Sequence, residues 1–176
     1  MLQSLSLRYD PTEDRMLLHL HVQQPPGPVV VHPLHLTRRL CAQWRQDLQA
    51  MVDRSAQAPE RMDPAARAAA SKAHHDAQSS QARVSTDRPS SELPQPERPP
   101  MLVTRIACGQ RQSDRRWVVQ FETASMPPMT LVLTSQTLHA LVDALSRRVQ
   151  TAQWALPAVA SEQRAPAPAA ASSHMH

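Results

Sequence analysis

The sequence predicts an α+β fold in which three antiparallel strands and a helix occur twice along the chain. An apolar run ends in a Leu-x-Leu-Thr pattern at residues 34–37 and again at residues 131–134, and an amphipathic helix follows each time. Before each pattern lie a polar turn ending in Asp-Arg and then a Pro-Pro pair. Because internal self-similarity is a stronger signal than any single element, we interpret the chain as a tandem βββα repeat.

Apolar and polar residues alternate along the predicted strands, as expected for strands with one buried face. Residues 2–23 contain two such runs. The inward face of the second run comprises Met16, Leu18, Leu20 and Val22. If Val22 pairs with Val29 across the next turn, His19 lies opposite His32. Prolines should end the strands at the Pro-Pro pairs, because proline cannot donate to a ladder.

Both helices should begin at a hydroxyl side chain that accepts a bond from an unpaired backbone N–H. Thr37 would cap a helix that runs to about Ser55, and Thr134 or Ser135 would cap a second from about Gln136 to Trp154. Their apolar positions coincide at a constant offset: Cys41, Trp44, Leu48 and Val52 in one helix, and Leu138, Leu141, Leu145 and Val149 in the other. This agreement in phase supports the repeat.

Composition divides the chain into five segments. Residues 1–55 and 101–154 are the two predicted βββα units, residues 56–76 a possible Ala-rich helical extension, residues 77–100 a Ser/Gln/Pro/Arg-rich linker, and residues 155–176 an Ala/Pro/Ser-rich tail. We expect the linker and the tail to be disordered, because they have few large apolar side chains. The extension lacks an apolar stripe, so it is either a solvated helix or no stable helix.

Each unit is expected to leave its second sheet face partly apolar. The candidate partner-binding residues on that face are Leu17, Val30, Leu34, Val118 and Val132. A half-apolar face favours a cover. The cover would be the other unit, giving one pseudo-twofold body of antiparallel sheets with two packed helices, or a second chain.

Histidines form the only concentration of possible metal ligands. His19, His21 and His32 could share one sheet face, where three imidazoles suit zinc or copper. We favour the alternative, a solvated and partly apolar face, because the second unit does not keep the cluster. We therefore expect no cofactor, and we interpret His74 and His75 as ordinary polar residues.

The arginines give a candidate anion site. Arg38 and Arg39 lie at the start of the first helix, where the helix dipole disfavours cations, and a bound anion would resolve the conflict. Arg15 and Arg115 follow the aspartates of the two turns. We interpret them as edge charges, as partners of turn aspartates, or as part of the same anion site.

Composition also limits the class of protein. The net charge is +4 and the pI about 10, which permits anionic partners. Two cysteines do not form a secreted disulfide framework, and we find neither a signal peptide nor a membrane-spanning run. We expect a cytoplasmic protein. With 2 glycines and no nucleophile elbow or phosphate loop, we do not expect an enzyme.

Two functions remain from these patterns. We favour a non-catalytic assembly or adaptor protein that binds a protein partner, or a second copy of itself, through the half-apolar face or the flexible segments. The alternative is a single-stranded nucleic-acid-binding protein, since the tandem order of strands and helix resembles the Whirly and Pur-alpha families in outline. Those folds have four strands per unit rather than three, and none of their sequence motifs occurs here, so no residue is carried over.

Overall fold

A computed structural model describes residues 2–23, 26–56, 62–81, 96 and 98–156. It confirms the α+β class, with a six-stranded mixed sheet and three helices in this part of the chain. The elements are β1 (Leu2–Asp10), β2 (Arg15–Gln23), β3 (Val29–Leu36), α1 (Arg38–Ser55), α2 (Pro64–Gln81), β4 (Met101–Gln110), β5 (Trp117–Thr123), β6 (Met129–Leu133) and α3 (Ser135–Thr151).

The strands lie in the sheet in chain order. β1, β2 and β3 are antiparallel neighbours, as are β4, β5 and β6, while β3 and β4 run parallel through the pairs Leu34–Met101 and His35–Leu102. The halves therefore join edge to edge. The expectation that one unit covers the second face of the other within antiparallel sheets was wrong.

One apolar core lies between α1, α3 and the sheet face that we call the inner face. Its largest fully buried side chains include Trp44, Phe121, Leu7, Met16, Leu18, Leu34, Leu36, Leu131, Leu133 and Leu138. Cys41 is also buried there, and burial raises the pKa of its thiol to about 12. The opposite side of the sheet is called the outer face.

The three helices begin where the sequence supplies a capping oxygen. Thr37 Oγ1 accepts from the backbone N of Leu40 at 3.3 Å, and Thr134 Oγ1 accepts from the backbone N of Thr137 at 3.2 Å. Just before α2, Asp63 Oδ2 accepts from the backbone N–H groups of Ala65 and Ala66. Pro64, which has no N–H group to satisfy, occupies the first position of the helix. The predicted cap Thr37 is confirmed, and of the two alternatives for the second helix, Thr134 and Ser135, the cap is Thr134.

Helix α1 of the first half packs on strands of the second half. The Trp44 ring meets the Phe121 ring edge-on, with centroids 5.5 Å apart. The Arg54 guanidinium carbon lies 5.6 Å from the centroid of the Trp117 ring. The first half thus supplies part of the core of the second.

Helix α3 makes the reciprocal contact with the first half. Arg148 Nε donates to the Leu7 carbonyl on β1 at 3.0 Å. Just beyond α3, the Trp154 ring meets Tyr9 edge-on with centroids 5.8 Å apart, and its Nε1 donates to Asp14 Oδ1 at 2.7 Å. Because the contacts run in both directions, neither half buries its own apolar face alone.

The pairing of β2 with β3 differs from the predicted register by one residue. Val22 lies opposite Val30, so His19 lies opposite Pro33 and His21 opposite Val31. A one-residue slip moves every side chain of a strand to the other face. Val30 and Leu34 therefore share the inner face with Leu20 and Leu18, contrary to our prediction.

The Ala-rich extension is helical and docked. α2 lies against α3 and α1 through polar side chains, which corrects the expectation of a solvated or unstable helix. It also continues to Gln81, beyond the predicted start of the linker at residue 77. Most of the remaining linker prediction, and the tail prediction from residue 157 on, lie outside the described residues.

Candidate functional site

The outer face of the sheet differs between the two halves. On β2 and β3, Leu17, His21, Val31 and His35 are all less than 10% exposed. The matching side chains on β5 and β6, Val118 and Val132, are half-buried. The second half therefore presents the more open outer face.

An uncharged strip crosses β4, β5 and β6 on this open face. Gly109 lies opposite Val118, which lies opposite Val132. A Cβ built on Gly109 would meet no heavy atom within 4 Å, so this part of the strip faces open space. The neighbouring row consists of Ala107, Gln120 and Thr130. We call these six residues the outer strip.

Charged side chains lie at both ends of the outer strip. At one end Arg105 Nη1 and Glu122 Oε1 are 3.3 Å apart, and both side chains are at least partly exposed. At the other end, in the turn between β4 and β5, Asp114 pairs with Arg111 and Arg116. These contacts hold the pKa of Asp114 at about 2, chiefly through the hydrogen bond from Arg111. An uncharged centre with a charged rim is typical of protein-binding surfaces.

The predicted partner-binding residues fall on both faces. Val118 and Val132 lie in the outer strip, and Leu17 lies on the outer face of β2 but is buried. Leu34 is fully buried in the core, and Val30 is 37% exposed at the start of β3 on the inner face. The structure thus brings together two of the five predicted residues.

The register also divides the predicted histidine cluster. His19 and His21 lie on the outer face, their rings 6.4 Å apart, while His32 lies opposite Leu20 on the inner face. His35, which lies opposite Leu17, is on the outer face with His19 and His21. Burial lowers the pKa of His19, His21 and His35, which favours their neutral forms. Within the described ranges, no group of three or more His, Cys, Asp or Glu side chains could hold a metal ion.

The four candidate anion-binding arginines have different surroundings. Arg38 Nη2 donates to the Ala155 carbonyl at 3.3 Å, and Arg39 lines a shallow groove of about 380 Å³ between α1 and β4. Arg15 starts β2, an interior strand, so its interpretation as an edge charge was wrong. Arg115, in the turn before β5, has a φ of 55°.

The Phe, Trp and Tyr rings lie away from the outer face. All five occur among the described residues. Four are buried, and Tyr9 packs partly buried against the core. Base stacking needs exposed rings on a surface. The described sheet surface offers none, so this arrangement does not favour the nucleic-acid alternative.

One polar cluster was missed from the sequence. His75 of α2 and His139 of α3 are in direct contact, and Asp143 lies beside them. The sequence did contain a sign of this cluster: His139 follows Leu138 on the apolar side of α3, and the acidic residue Asp143 comes one turn later. The contacts of His75 correct its interpretation as an ordinary polar residue.

Comparisons with protein families, with curated proteins and with solved structures found no match. The outline likeness to Whirly and Pur-alpha proteins therefore stays a sequence-based expectation. None of the helices in the described part of the chain has the length and apolar character needed to cross a membrane.

Proposed function

We propose that this chain is a non-catalytic assembly protein that binds a protein partner through the outer strip of β4–β6. The observation that carries the proposal is the open, uncharged row of Gly109, Val118 and Val132 between two charged ends. Helices α1 and α3 pack on the inner face, so among the described residues this row is not used by the core.

A second copy of the same chain is the simplest partner. In a two-fold interface the same patch meets itself, and an uncharged strip avoids placing like charges opposite each other. A stable interface buries roughly 800 Å² per partner. The contact must then extend beyond the strip, and Leu102 on the outer face of β4 is a large apolar side chain that is 43% exposed.

The experiment compares the Val118→Asp/Val132→Asp variant with the wild-type chain by size-exclusion chromatography and light scattering. We expect the wild-type mass to exceed the monomer mass of 19.6 kDa and the variant to fall to that mass. A buried, unpaired carboxylate would be costly at an interface centre. Val30→Asp is the matched control, because Val30 is an exposed valine on the inner face.

A different protein partner would be found by chemical cross-linking in extract, with the same three chains. A partner that is lost with Val118→Asp/Val132→Asp and kept with Val30→Asp supports the proposal. A monomeric wild type whose cross-linked partners are identical in all three chains contradicts it. Circular dichroism on each variant separates loss of binding from loss of fold.

We propose that the chain is a tandem βββα repeat with pseudo-twofold symmetry. Its support is the order of elements, the matching caps of Thr37 and Thr134, and the reciprocal packing of α1 and α3 on the strands of the opposite half. In this view the outer strip is where the two units have diverged.

A further inference from the structure

Helix α2 has too little apolar surface to dock by burial alone. It is Ala-rich, and none of its described side chains is fully buried. Its contacts with the rest of the molecule include polar ones at two places. Ser71 Oγ donates to Asp53 Oδ1 on α1 at 3.1 Å, and His75 reaches α3. The histidine contact is the more buried of the two, since His139 is fully buried.

Four side chains from three helices form a continuous hydrogen-bonded chain. Ser55 Oγ at the end of α1 is 3.0 Å from His139 Nε2, and His139 Nδ1 is 2.7 Å from His75 Nδ1. His75 Nε2 is 2.8 Å from Asp143 Oδ1. The Ser55 hydroxyl also donates to the Val52 carbonyl at 2.6 Å. We call this the imidazole chain.

The partners fix where the protons lie. Since Ser55 donates to Val52, its oxygen accepts from His139 Nε2–H, and only one further proton fits between the two facing Nδ1 atoms. His75 Nε2 donates to the Asp143 carboxylate, and the negative charge there favours the imidazolium on His75, with His139 neutral. The two histidines share a single proton between facing Nδ1 atoms.

We propose that the imidazole chain is a pH-sensitive latch that holds α2 on the body only while one of the two histidines, and not both, is charged. Adding a second proton would set two N–H donors against each other at 2.7 Å. Removing the shared proton takes the positive charge from beside Asp143 and requires the Ser55 hydroxyl to turn away from Val52.

The surrounding charges agree with this assignment. The hydrogen bond from His75 to Asp143 raises the pKa of His75, with Asp76 adding to the effect and Lys72 opposing it. Burial lowers the pKa of His139 to about 4, with His75 and His74 adding to the effect and Asp143 opposing it. His74 makes only a ring contact here, with centroids 5.2 Å apart. From α1, the chain meets the uncharged Ser55.

The sign of the pH dependence follows from linkage. Because docking raises the pKa of His75 above 6.5, this group stabilises the docked helix at low pH and loses its effect as pH rises through the raised value. Docking lowers the pKa of His139 to the extent that α2 adds to its burial and places His75 and His74 beside it, so this group opposes docking as pH falls towards 4. Docking should therefore be tightest near pH 6.5 and weaken on both sides.

The test is hydrogen exchange of the full chain at several pH values between 5 and 8.5, corrected for the intrinsic exchange rate. We expect protection of the α2 amides at residues 68–78 to fall about tenfold from pH 6.5 to pH 5, since each unit of pKa shift is worth a factor of ten. A smaller fall is expected as pH rises from 6.5 through the raised pKa of His75, above which protection should level off. The core amides of α3 at residues 141–145 should stay protected, which separates release of α2 from unfolding.

Variants separate the two limbs of the pH profile: the fall in α2 protection below pH 6.5 (the acid limb) and the fall above it (the alkaline limb). His139→Gln should flatten the acid limb and His75→Gln the alkaline limb. The control His74→Gln should keep both, with the acid limb only slightly reduced because His74 adds to the effect on His139. If His139→Gln does not fold, imidazole resonances of the wild type give the same answer: His139 should stay neutral at pH 5 while His75 titrates above pH 6.5. Protection of α2 that is flat with pH, or that falls only together with that of α3, overturns the latch.

Discussion

Replacing Trp44 with alanine is expected to lower the free energy of unfolding by about 3–5 kcal/mol, the usual cost of deleting a large buried aromatic side chain. Trp44 is fully buried, and its ring packs edge-on against Phe121 of the other half. Proteins of this size have only about 5–15 kcal/mol of stability. We therefore expect the melting temperature to fall by about 10 °C or more, measured by thermal and urea unfolding.

The control for Trp44→Ala is Gln46→Ala in the same helix. Gln46 is exposed, so its removal should change stability by less than about 0.5 kcal/mol. A double-mutant cycle with Phe121→Leu then isolates the ring contact, for which about 0.5–1.5 kcal/mol beyond area burial is expected. A Trp44→Ala chain that loses under about 1 kcal/mol would mean that α1 does not pack on the second half.

Replacing Trp154 with alanine should have a similar effect, a loss of about 3–5 kcal/mol. Trp154 is 7% exposed, contacts the Tyr9 ring and donates to Asp14 in the first hairpin. The substitution therefore removes both a packed ring and a bond between the end of α3 and the first half. Urea unfolding at pH 7 measures the loss.

Trp154→Phe separates the ring from its N–H group. The hydrogen bond from Trp154 is the main reason that the pKa of Asp14 lies below 3.8, with Tyr9 second. A lowered carboxyl pKa stabilises the fold above pH 4 and loses that effect as pH falls. Trp154→Phe should therefore raise the pKa of Asp14 and make acid unfolding less steep. An unchanged acid transition in Trp154→Phe would contradict the bond.

The local structure was predictable from the sequence because it depends on neighbouring residues. Alternation located the strands, and a hydroxyl before an apolar stripe located the caps at Thr37 and Thr134. The register of β3 was not predictable, because Val29, Val30 and Val31 suit either face equally. Because of this ambiguity, His32, Val30 and Leu34 were all assigned to the wrong face of the sheet.

The packing between distant elements was not predictable either. Nothing local shows that Trp44 meets Phe121 or that α3 crosses to β1, because such contacts depend on how whole faces fit. The docking of α2 was not predictable because it includes polar contacts through His75 and Ser71, and such contacts leave no apolar periodicity in the sequence. Of the outer strip, Val118 and Val132 were predicted from the sequence, whereas Gly109 beside them was not.

Cutting the chain between residues 88 and 89 tests the central claim, that the two halves share one core. A site for a sequence-specific protease is inserted there, outside the described residues, and the cut protein is examined by size-exclusion chromatography with light scattering. We predict that the two fragments elute together with the mass and circular dichroism of the uncut chain, and that Trp44→Ala weakens their association. Two fragments that separate as folded monomers would contradict the shared core.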